Sequence, residues 1–363
     1  MLTRRRSLQV NVGGVTLGGD APVRVQSMTN TDTHDVAATV EQVRRLEEAG
    51  CEIVRLAVPD EGAVRALKDI RKEVNVPIVA DVHFDHRLAL GALEAGADKL
   101  RINPGNIGSR DKVEAVARAA RERGVPIRVG VNSGSIRRDF LKKYGPTAEA
   151  MVESALEEVK VLEEVGFQDI VISLKASDVP RTVEAYELIA DRVPYPLHIG
   201  ITEAGTVRSG SVRSAVGLGI LLWEGIGDTV RVSLSGDPVE EVRVAYEILR
   251  SLGLRRRGVT VIACPTCGRT EIDVASLAER VERTLEGLER PLTVAVMGCV
   301  VNGPGEAKEA DVGVAGGRKG GVVFRKGKVV RRVEEGEIFD ALMEEIGKIG
   351  EGKAVPWGQV RPL

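Results

Sequence analysis

The sequence predicts an α/β protein in which a (β/α)8 TIM barrel is followed by a small α+β domain. From about Pro22 to Gly253, short β-branched apolar runs alternate with longer amphipathic segments. The period is roughly 30 residues, as a βα unit requires. Eight runs occur in strict alternation with helical segments, which fits a closed barrel better than an open doubly wound sheet. Beyond Leu254 the alternation ends, so we predict a barrel over residues 1–255 and a second domain over residues 256–363.

Each predicted barrel strand is an apolar run, and a helical segment follows it. The strand candidates are Val23–Met28, Glu52–Val58, Pro77–Phe84, Asp98–Asn103, Pro126–Asn132, Asp169–Lys175, Pro196–Thr202 and Thr229–Ser235. In the helical segments, apolar residues recur at i, i+4 and i+7 and a glycine closes the pattern, as with Val36, Val40 and Val43 before Gly50. The segment Ser7–Pro22 predicts a hairpin over the N-terminal mouth of the barrel.

The second domain has a different texture. We predict a strand leading into Cys264, a helix over Ile272–Leu288, a strand over Thr293–Val300, a hairpin over Gly321–Val333 and a last helix near Glu337–Ile346.

Composition limits the classes of partner. The chain carries 51 basic and 53 acidic residues, so its formal charge of -2 favours neither nucleic acid nor acidic membranes. No apolar stretch of signal-peptide or transmembrane length is present, and we expect a cytoplasmic protein. Four cysteines in such a chain do not suggest a disulfide framework.

Three cysteines mark a metal site in the second domain. Cys264 and Cys267 form a CxxC pair, and Cys299 follows in a glycine-rich stretch. Zinc needs a fourth sulfur or imidazole ligand. Cys51 and all four histidines, His34, His83, His86 and His198, precede the domain boundary. The second domain therefore cannot complete a four-cysteine or three-cysteine–histidine zinc site by itself.

An iron-sulfur cluster fits these cysteines better. A four-iron cluster accepts three thiolates, because its fourth iron can take an oxygen ligand. Glu306 is the best candidate for that ligand, and a carboxylate is a harder donor that is more easily displaced. A solvated loop carboxylate is the competing interpretation of Glu306.

Polar and charged residues end the predicted barrel strands, where barrel enzymes carry their chemistry. These residues are Arg55, Asp81, His83, Arg101, Asn103, Asn106, Arg128, Asn132, Ser173, Lys175, Thr202, Glu203, Arg231, Ser233 and Ser235. Five strands deliver a cation, and guanidinium groups with amide and hydroxyl donors suit a small, multiply anionic substrate such as a diphosphate. His83 and Glu203 are candidates for proton transfer.

Two other interpretations concern the barrel residues. The cations could instead pair with Asp81, Glu203 and neighbouring carboxylates inside the barrel. We expect Cys51, His34, His86 and His198 to pack or to support the site.

The motifs VRLAVPD, VADVHF, RINPGNIG, ISLKAS, ITEAG, ACPTCGRT and MGCVVNGPGE resemble those of the bacterial 4-hydroxy-3-methylbut-2-enyl diphosphate synthase family, in its short two-domain form. The resemblance implies reductive ring opening and dehydration of 2-C-methyl-D-erythritol 2,4-cyclodiphosphate in the non-mevalonate isoprenoid pathway. It also implies a dihydropteroate-synthase-like barrel and a sulfite-reductase-like cluster domain. It further implies flavodoxin or ferredoxin as electron donor, and a head-to-tail homodimer.

The resemblance also implies roles for individual residues. Cys264, Cys267, Cys299 and Glu306 match the ligands of a [4Fe-4S] cluster. The diphosphate-binding set is matched by Arg55, Arg101, Arg128, Asn132, Lys175, Arg231 and Ser233, to which the strand-end pattern adds Asp81 and Asn103. Thr202 and Glu203 match the pair near the reacting hydroxyl, and His83 remains a catalytic candidate.

Two functions from other classes stay open. An iron-sulfur redox sensor would use the barrel only to bind a ligand. A dihydropteroate-synthase-like transferase would carry a merely structural metal.

Overall fold

A computed structural model describes residues 3–107, 109–299 and 307–350 of the chain. The chain divides between Arg255 and Arg256 into two compact units, each with its own apolar core. Within the described residues, no helix has the length and apolar character needed to cross a membrane.

The first unit contains eight parallel strands that form a closed barrel, as the alternation predicted. The strands are β3 (Arg24–Met28), β4 (Ile53–Ala57), β5 (Ile78–Asp81), β6 (Lys99–Ile102), β7 (Ile127–Asn132), β8 (Ile170–Lys175), β9 (His198–Ile199) and β10 (Thr229–Val230). They pair in the order β8-β7-β6-β5-β4-β3-β10-β9. A parallel bridge between Ile172 and Leu197 brings β8 beside the segment leading into β9 and closes the ring. The predicted TIM barrel is therefore confirmed.

Helices follow every barrel strand. They are α1 (Val36–Glu48), α2 (Glu61–Glu73), α3 (His86–Glu94), α4 (Pro104–Ile107), α5 (Arg110–Glu122), α6 (Arg138–Tyr144), α7 (Ala148–Glu164), α8 (Val179–Ala190), α9 (Val207–Trp223) and α10 (Pro238–Ser251). Asp35, Asp60, Asp85, Asp178 and Asp237 each cap a helix by accepting a hydrogen bond from its first turn. The short helices α4 and α6 lie in the loops after β6 and β7 and were not predicted.

The last two barrel strands are shorter than their apolar runs suggested. Regular pairing stops after Ile199 and after Val230. Gly200 follows Ile199, and a Cβ added to it would lie 2.4 Å from the carbonyl oxygen of Arg231. The two backbones thus approach more closely here than residues with side chains allow.

A hairpin closes the N-terminal end of the barrel, as predicted. Strands β1 (Val10–Val12) and β2 (Val15–Leu17) pair antiparallel. Their buried apolar side chains form one cluster with residues from the first halves of β4, β5 and β8, namely Val10, Val12, Leu17, Ile53, Val79 and Val171. These apolar side chains fill the bottom of the barrel.

The second unit is a five-stranded sheet with helices, which confirms its α+β class. Its elements are β11 (Val259–Ala263), α11 (Val274–Thr284), β12 (Leu292–Met297), β13 (Val312–Gly317), β14 (Gly320–Arg325), β15 (Lys328–Val333) and α12 (Ile338–Gly350). The order is β11-β12-β13-β14-β15, parallel as far as β13 and antiparallel beyond it.

Strand β13 was missed because glycines are rare inside strands. Two of its glycines are required by close packing. A Cβ on Gly313 would meet the ring of Phe324 at 2.4 Å, and one on Gly316 would meet the carbonyl oxygen of Gly298 at 2.7 Å.

Candidate functional site

A carboxylate at the end of β5 collects three of the predicted site residues. Asp81 Oδ1 accepts a hydrogen bond from Arg101 Nη1 at 3.3 Å, and Arg55 Nε lies 3.7 Å from Asp81 Oδ2. His83 Nε2 is 3.5 Å from Asp81 Oδ1, and the His83 side chain is half exposed. Burial alone would raise the pKa of Asp81, but the charge of Arg55 and the contacts with His83 and Arg101 hold it well below its usual range. Asp81 is therefore an anion that orients two guanidinium groups.

Arg128 is the most deeply buried of the predicted cations. Only 2% of the residue is exposed, and its Nη1 donates to Ser173 Oγ at 2.6 Å. Its Nε and Nη2 have no hydrogen-bond partner among the described residues. Burial lowers the pKa of Arg128, and the charges of Arg55 and Arg101 lower it further. Buried donors without acceptors are costly, so this guanidinium is suited to receive oxygen atoms of a ligand.

Lys175 lies against a buried histidine. Its Nζ is 3.1 Å from His198 Nε2, which accepts the hydrogen bond because the ammonium group can only donate. Burial first, and then the charges of Arg128 and Arg231, lower the pKa of Lys175 well below its ordinary value. The pKa of His198 is also lowered, mainly by burial and next by Lys175. His198 thus supports the site, as expected.

Lys99 is a sixth interior cation, which the sequence reasoning missed. It is fully buried, and its Nζ donates to Gln26 Oε1 on β3, across the barrel, at 3.1 Å. Burial lowers its pKa well below the ordinary value, and Arg128 and Arg55 lower it further. Lys99 is the first residue of β6 and lies away from the carboxyl ends of the strands, where barrel enzymes carry their chemistry. The alternation Lys99–Arg101 on one face of β6 is the signal that could have found it.

Glu241, on α10, was also missed. Its Oε1 accepts from Arg231 Nη2 at 3.3 Å and from the backbone N–H of Leu234 at 3.1 Å. Its Oε2 accepts from Arg231 Nε at 3.3 Å and from Ser27 Oγ at 2.8 Å. Glu241 is 4% exposed. This carboxylate fixes both Arg231 and the backbone next to Ser233.

Two glycines make room for these side chains. A Cβ on Gly130 would lie 3.0 Å from Arg101 Nε and 3.1 Å from Ser173 Oγ. One on Gly200 would lie 2.8 Å from Lys175 Nζ. Larger residues at these inward positions of β7 and after β9 would displace the cations.

The barrel interior therefore carries an excess of positive charge. Its cations are Arg55, Lys99, Arg101, Arg128, Lys175 and Arg231. Among the described residues, two carboxylates form ion pairs with this set, Asp81 and Glu241. Internal pairing with Asp81 accounts for Arg55 and Arg101, but Lys99, Arg128 and Lys175 form no ion pair in the part of the chain that the structure describes. Such an interior suits a small, multiply anionic ligand.

Thr202 and Glu203 lie on the loop after β9. Glu203 has a φ of 50°, in the left-handed region that residues other than glycine rarely adopt. Its side chain is exposed, and Thr202 is half-buried. Glu203 forms no ion pair with the interior cations in the described part of the chain, so the alternative interpretation in which it neutralises them is not supported. Strain of this kind often marks functional positions.

The remaining predicted barrel residues take different positions. Asn132 is half-buried. It is the register partner of Lys175 on the neighbouring strand β8, so the two residues lie at the same level of the barrel. Ser233 is half-buried after β10. Asn103 is buried, and its amide, oriented to donate, lies 2.7 and 3.0 Å from the carboxylate oxygens of Glu158 on α7. Asn103 is therefore already engaged by the protein.

His34 does not pack or support the site as expected. It is exposed, with Nδ1 2.6 Å from Asp32 and Nε2 2.9 Å from Asp60, and its pKa is raised by these hydrogen bonds. Cys51 is buried, as expected, and burial raises its pKa to about 12.

The three cysteines of the second unit follow the carboxyl ends of β11 and β12. Cys264 Sγ accepts a hydrogen bond from the backbone N–H of Gly298 at 3.0 Å, next to the buried Cys299. Cys267 is exposed, and a hydrogen bond from the backbone of Arg269 lowers the pKa of its thiol. Among the described residues, no three His, Cys, Asp or Glu side chains converge on a single metal ion.

These donors are of the kind that an iron-sulfur cluster uses. Such a cluster binds through thiolates and is tuned by N–H···S hydrogen bonds of the kind that Gly298 makes. Gly298 has no room for a side chain, since a Cβ would lie 2.9 Å from Thr270. Glu306, the predicted fourth ligand, lies outside the described residues.

Family models and relatives cover both units. The GcpE TIM-barrel domain matches residues 7–246, and the GcpE protein C-terminal domain matches residues 260–348. A relative from Geobacter sulfurreducens is 61% identical over 347 residues, which is 95% of this chain and 98% of the relative. A relative from Caldanaerobacter subterraneus subsp. tengcongensis is 59% identical, with the same coverage. Both bear the name 4-hydroxy-3-methylbut-2-en-1-yl diphosphate synthase (flavodoxin).

Two solved structures with low sequence identity resemble about two thirds of the chain. Dihydropteroate synthase from Stenotrophomonas maltophilia aligns with a TM-score of 0.50 at 17% identity and covers 68% of this chain and 98% of its own. The 3-dehydroquinate dehydratase from Geobacillus kaustophilus aligns with a TM-score of 0.50 at 14% identity, covering 69% of this chain and 99% of its own. At these identities the likeness concerns the fold, and it confirms the dihydropteroate-synthase-like barrel.

Replacing Lys175 by methionine should stabilise the ligand-free protein. Removing a buried, unpaired charge should raise the free energy of unfolding by about 1–4 kcal/mol at pH 7 in urea denaturation. The folded-state pKa of Lys175 lies below its unfolded value, so the penalty is largest at low pH and shrinks as pH rises towards 10. Lys68→Met, at an exposed position, is the control. A Lys175→Met protein that is less stable than wild type at pH 7 would contradict this account.

Glu241→Gln should lower the stability of the protein without lowering its affinity for diphosphate. The variant loses charged hydrogen bonds to Arg231, so we expect the free energy of unfolding to fall by about 1–3 kcal/mol. The interior gains one net positive charge, so calorimetric affinity for inorganic diphosphate should be equal or higher. The neighbouring Glu240→Gln, which removes an exposed surface ion pair, should change stability by less than about 1 kcal/mol. If both variants changed the free energy of unfolding equally, Glu241 would not be the residue that fixes Arg231.

Proposed function

The chain belongs to the GcpE family of 4-hydroxy-3-methylbut-2-en-1-yl diphosphate synthases, and we propose that its barrel binds 2-C-methyl-D-erythritol 2,4-cyclodiphosphate for reductive ring opening and dehydration. Counted on the neutral acids, the substrate takes up two electrons and two protons. The ring C–O bond to phosphate breaks, a hydroxyl departs as water, and (E)-4-hydroxy-3-methylbut-2-enyl diphosphate forms.

The excess of buried cations is the observation that carries this proposal. The cyclodiphosphate brings two negative charges into a barrel with six cations, of which Arg55, Arg101 and Arg231 pair with carboxylates among the described residues. Within that part of the chain, two nitrogens of Arg128 lack a hydrogen-bond partner and Lys175 lacks a carboxylate, so these two groups gain most from phosphate oxygens.

The other barrel residues position the substrate. Asp81 fixes the guanidinium groups of Arg55 and Arg101, and Glu241 fixes that of Arg231. Asn132 and Ser233, half-buried at the mouth, supply neutral donors, and Asn103 supports its loop through Glu158. Groups held in place beforehand lose little entropy when the substrate binds.

Proton transfer falls to residues at the rim. Glu203, exposed on its strained loop beside Thr202, donates a proton to the departing hydroxyl, so that the oxygen leaves as water. His83, beside Asp81 and half exposed, is placed to exchange the second proton with solvent.

A [4Fe-4S] cluster would be held by Cys264, Cys267 and Cys299, with Glu306 as the fourth ligand. When bound, it supplies the two electrons one at a time. The backbone N–H of Gly298 supports this assignment because such hydrogen bonds to sulfur stabilise the thiolate. The names of the relatives favour flavodoxin as the electron donor.

A homodimer is supported by an apolar stripe on α9. Val212, Val216, Ile220 and Trp223 recur at helical spacing and are 63%, 49%, 40% and 66% exposed. An unbroken stripe of large apolar residues on a surface helix is typical of an interface. We propose that a second copy of the chain covers it, in a head-to-tail arrangement.

The cluster assignment is tested by replacing one ligand. Anaerobically prepared protein should contain about four iron and four sulfide per chain, and Cys299→Ser should lose both the cluster and turnover of the cyclodiphosphate. Cys51→Ser, in the barrel, should keep its iron. One zinc per chain with activity surviving Cys299→Ser would favour the transferase. A Mössbauer spectrum indifferent to substrate would favour the redox sensor.

Glu203→Gln should bind the cyclodiphosphate with wild-type affinity but turn over about 10²–10⁴-fold more slowly, because the amide cannot donate an acidic proton. Turnover with a chemical reductant and calorimetric binding separate the two effects. Glu61→Gln, exposed on α2, is the control. Normal turnover by the Glu203 variant would assign the proton to another group.

Val216→Asp with Ile220→Asp should convert the dimer into a monomer, because charges would be buried in the interface. Light scattering after size-exclusion chromatography measures the change. Leu141→Asp, at an apolar residue 42% exposed on α6, should leave the dimer intact. A double variant that stays dimeric would place the interface elsewhere.

A further inference from the structure

The second unit carries a strongly basic hairpin, defined here as residues 318–333. It contains seven cations, Arg318, Lys319, Arg325, Lys326, Lys328, Arg331 and Arg332, and no acidic residue. The acidic residues that follow, from Glu334 onward, begin the turn into α12. The whole chain has a net charge of -2, so this concentration is local.

Two of these seven cations form ion pairs within the part of the chain that the structure describes. Arg325 and Arg331 pair with Glu345 and Glu344 on α12. The other five cations form no ion pair in the part of the chain that the structure describes. All five are exposed, namely Arg318, Lys319, Lys326, Lys328 and Arg332. A field of this kind attracts an acidic macromolecule over several ångströms and accelerates its association.

The hairpin also offers an apolar centre. Strand β15 is the edge of the sheet, and its Val329 and Val330 are 50% and 48% exposed between the cations. Cations on an edge strand also discourage unwanted strand pairing, but one or two serve that purpose. An apolar centre with a charged rim is the composition of a transient protein interface.

The hairpin shares an apolar cluster with one of the predicted cluster ligands, Cys264. Val322 on β14 and Cys264 pack against the same apolar cluster, formed by residues such as Met297 and Phe324. Arg332 is the register partner of Val322, so the two side chains share that face of the sheet. Cys264 and Arg332 therefore lie on the same face of the sheet, although β11 and β15 form its two opposite edges.

We propose that the basic hairpin is the docking surface for an acidic one-electron carrier protein. The inference rests on the proposed function, because it presumes electrons must reach a cluster at Cys264. Each reduced carrier gives up one electron and leaves oxidised, and two encounters complete a turnover. The names of the relatives identify a flavodoxin as the carrier class to use.

The test compares two electron sources on one variant. Lys326→Gln, Lys328→Gln and Arg332→Gln are combined in the holoenzyme. The control, Arg65→Gln, Lys68→Gln and Arg118→Gln, removes the same charge from exposed positions on α2 and α5. Turnover of the cyclodiphosphate is measured with reduced flavodoxin and, separately, with dithionite and methyl viologen.

We expect the KM for flavodoxin to rise about tenfold in the hairpin variant at low salt, which corresponds to about 1.4 kcal/mol. The difference should fade as salt is raised, because exposed charges are screened. The rate with methyl viologen, and both rates of the control, should not change. Val330→Ser, which keeps every charge, should also raise the KM for flavodoxin.

Other outcomes overturn the inference. An unchanged KM for flavodoxin, with normal viologen turnover, removes the docking surface but leaves the proposed function intact. No turnover of wild-type holoenzyme with viologen would instead refute the proposed function. If the KM is unchanged while the hairpin variant loses binding to a fluorescent RNA oligonucleotide at 0.15 M salt, the surface serves nucleic acid rather than a carrier.

Discussion

The structure depends on holding like charges together inside a closed barrel. Six cations project into the interior, and among the described residues two carboxylates pair with three of them, so the ligand-free barrel contains an electrostatic repulsion that burial strengthens. The helices and strands around it supply the compensating stability, since their apolar faces form one continuous core between sheet and helices. The same repulsion becomes affinity when a polyanion enters. The buried cations therefore favour anion binding and at the same time lower the stability of the ligand-free barrel.

The architecture directs this charge towards one end. All eight strands are parallel, so their carboxyl ends meet at a single mouth, and the β1–β2 hairpin fills the other end with apolar side chains. The charged layers lie between that apolar plug and the mouth. Gly130 and Gly200 leave space where a larger residue would displace Arg101, Ser173 or Lys175. Anion recognition thus uses the backbone as well as the cations.

The second unit applies the same principle to a different chemistry. Parallel strands β11 and β12 bring Cys264 and the Gly298–Cys299 segment side by side at their carboxyl ends, although 34 residues separate Cys264 from Gly298. Beyond them the sheet turns antiparallel, and its edge hairpin is basic and exposed. A soft-donor site and a surface suited to an acidic protein therefore share one small sheet.

The amino-acid sequence by itself determined the class of each domain, the cysteine set and five of the six interior cations. These features depend on local period and residue type, which a single chain displays directly. Glu241 and the β13 strand were not predicted, because each depends on what lies opposite: Arg231 at the end of a strand, and the Phe324 ring that requires Gly313. Lys99 was not predicted because it begins its strand, away from the carboxyl ends of the strands. The sequence left open a pairing of the cations with Asp81 and Glu203, but the fold turns Glu203 to solvent, and Glu241 pairs with Arg231 instead. Which charges meet is decided by strand register and barrel closure, and only the tertiary structure contains these.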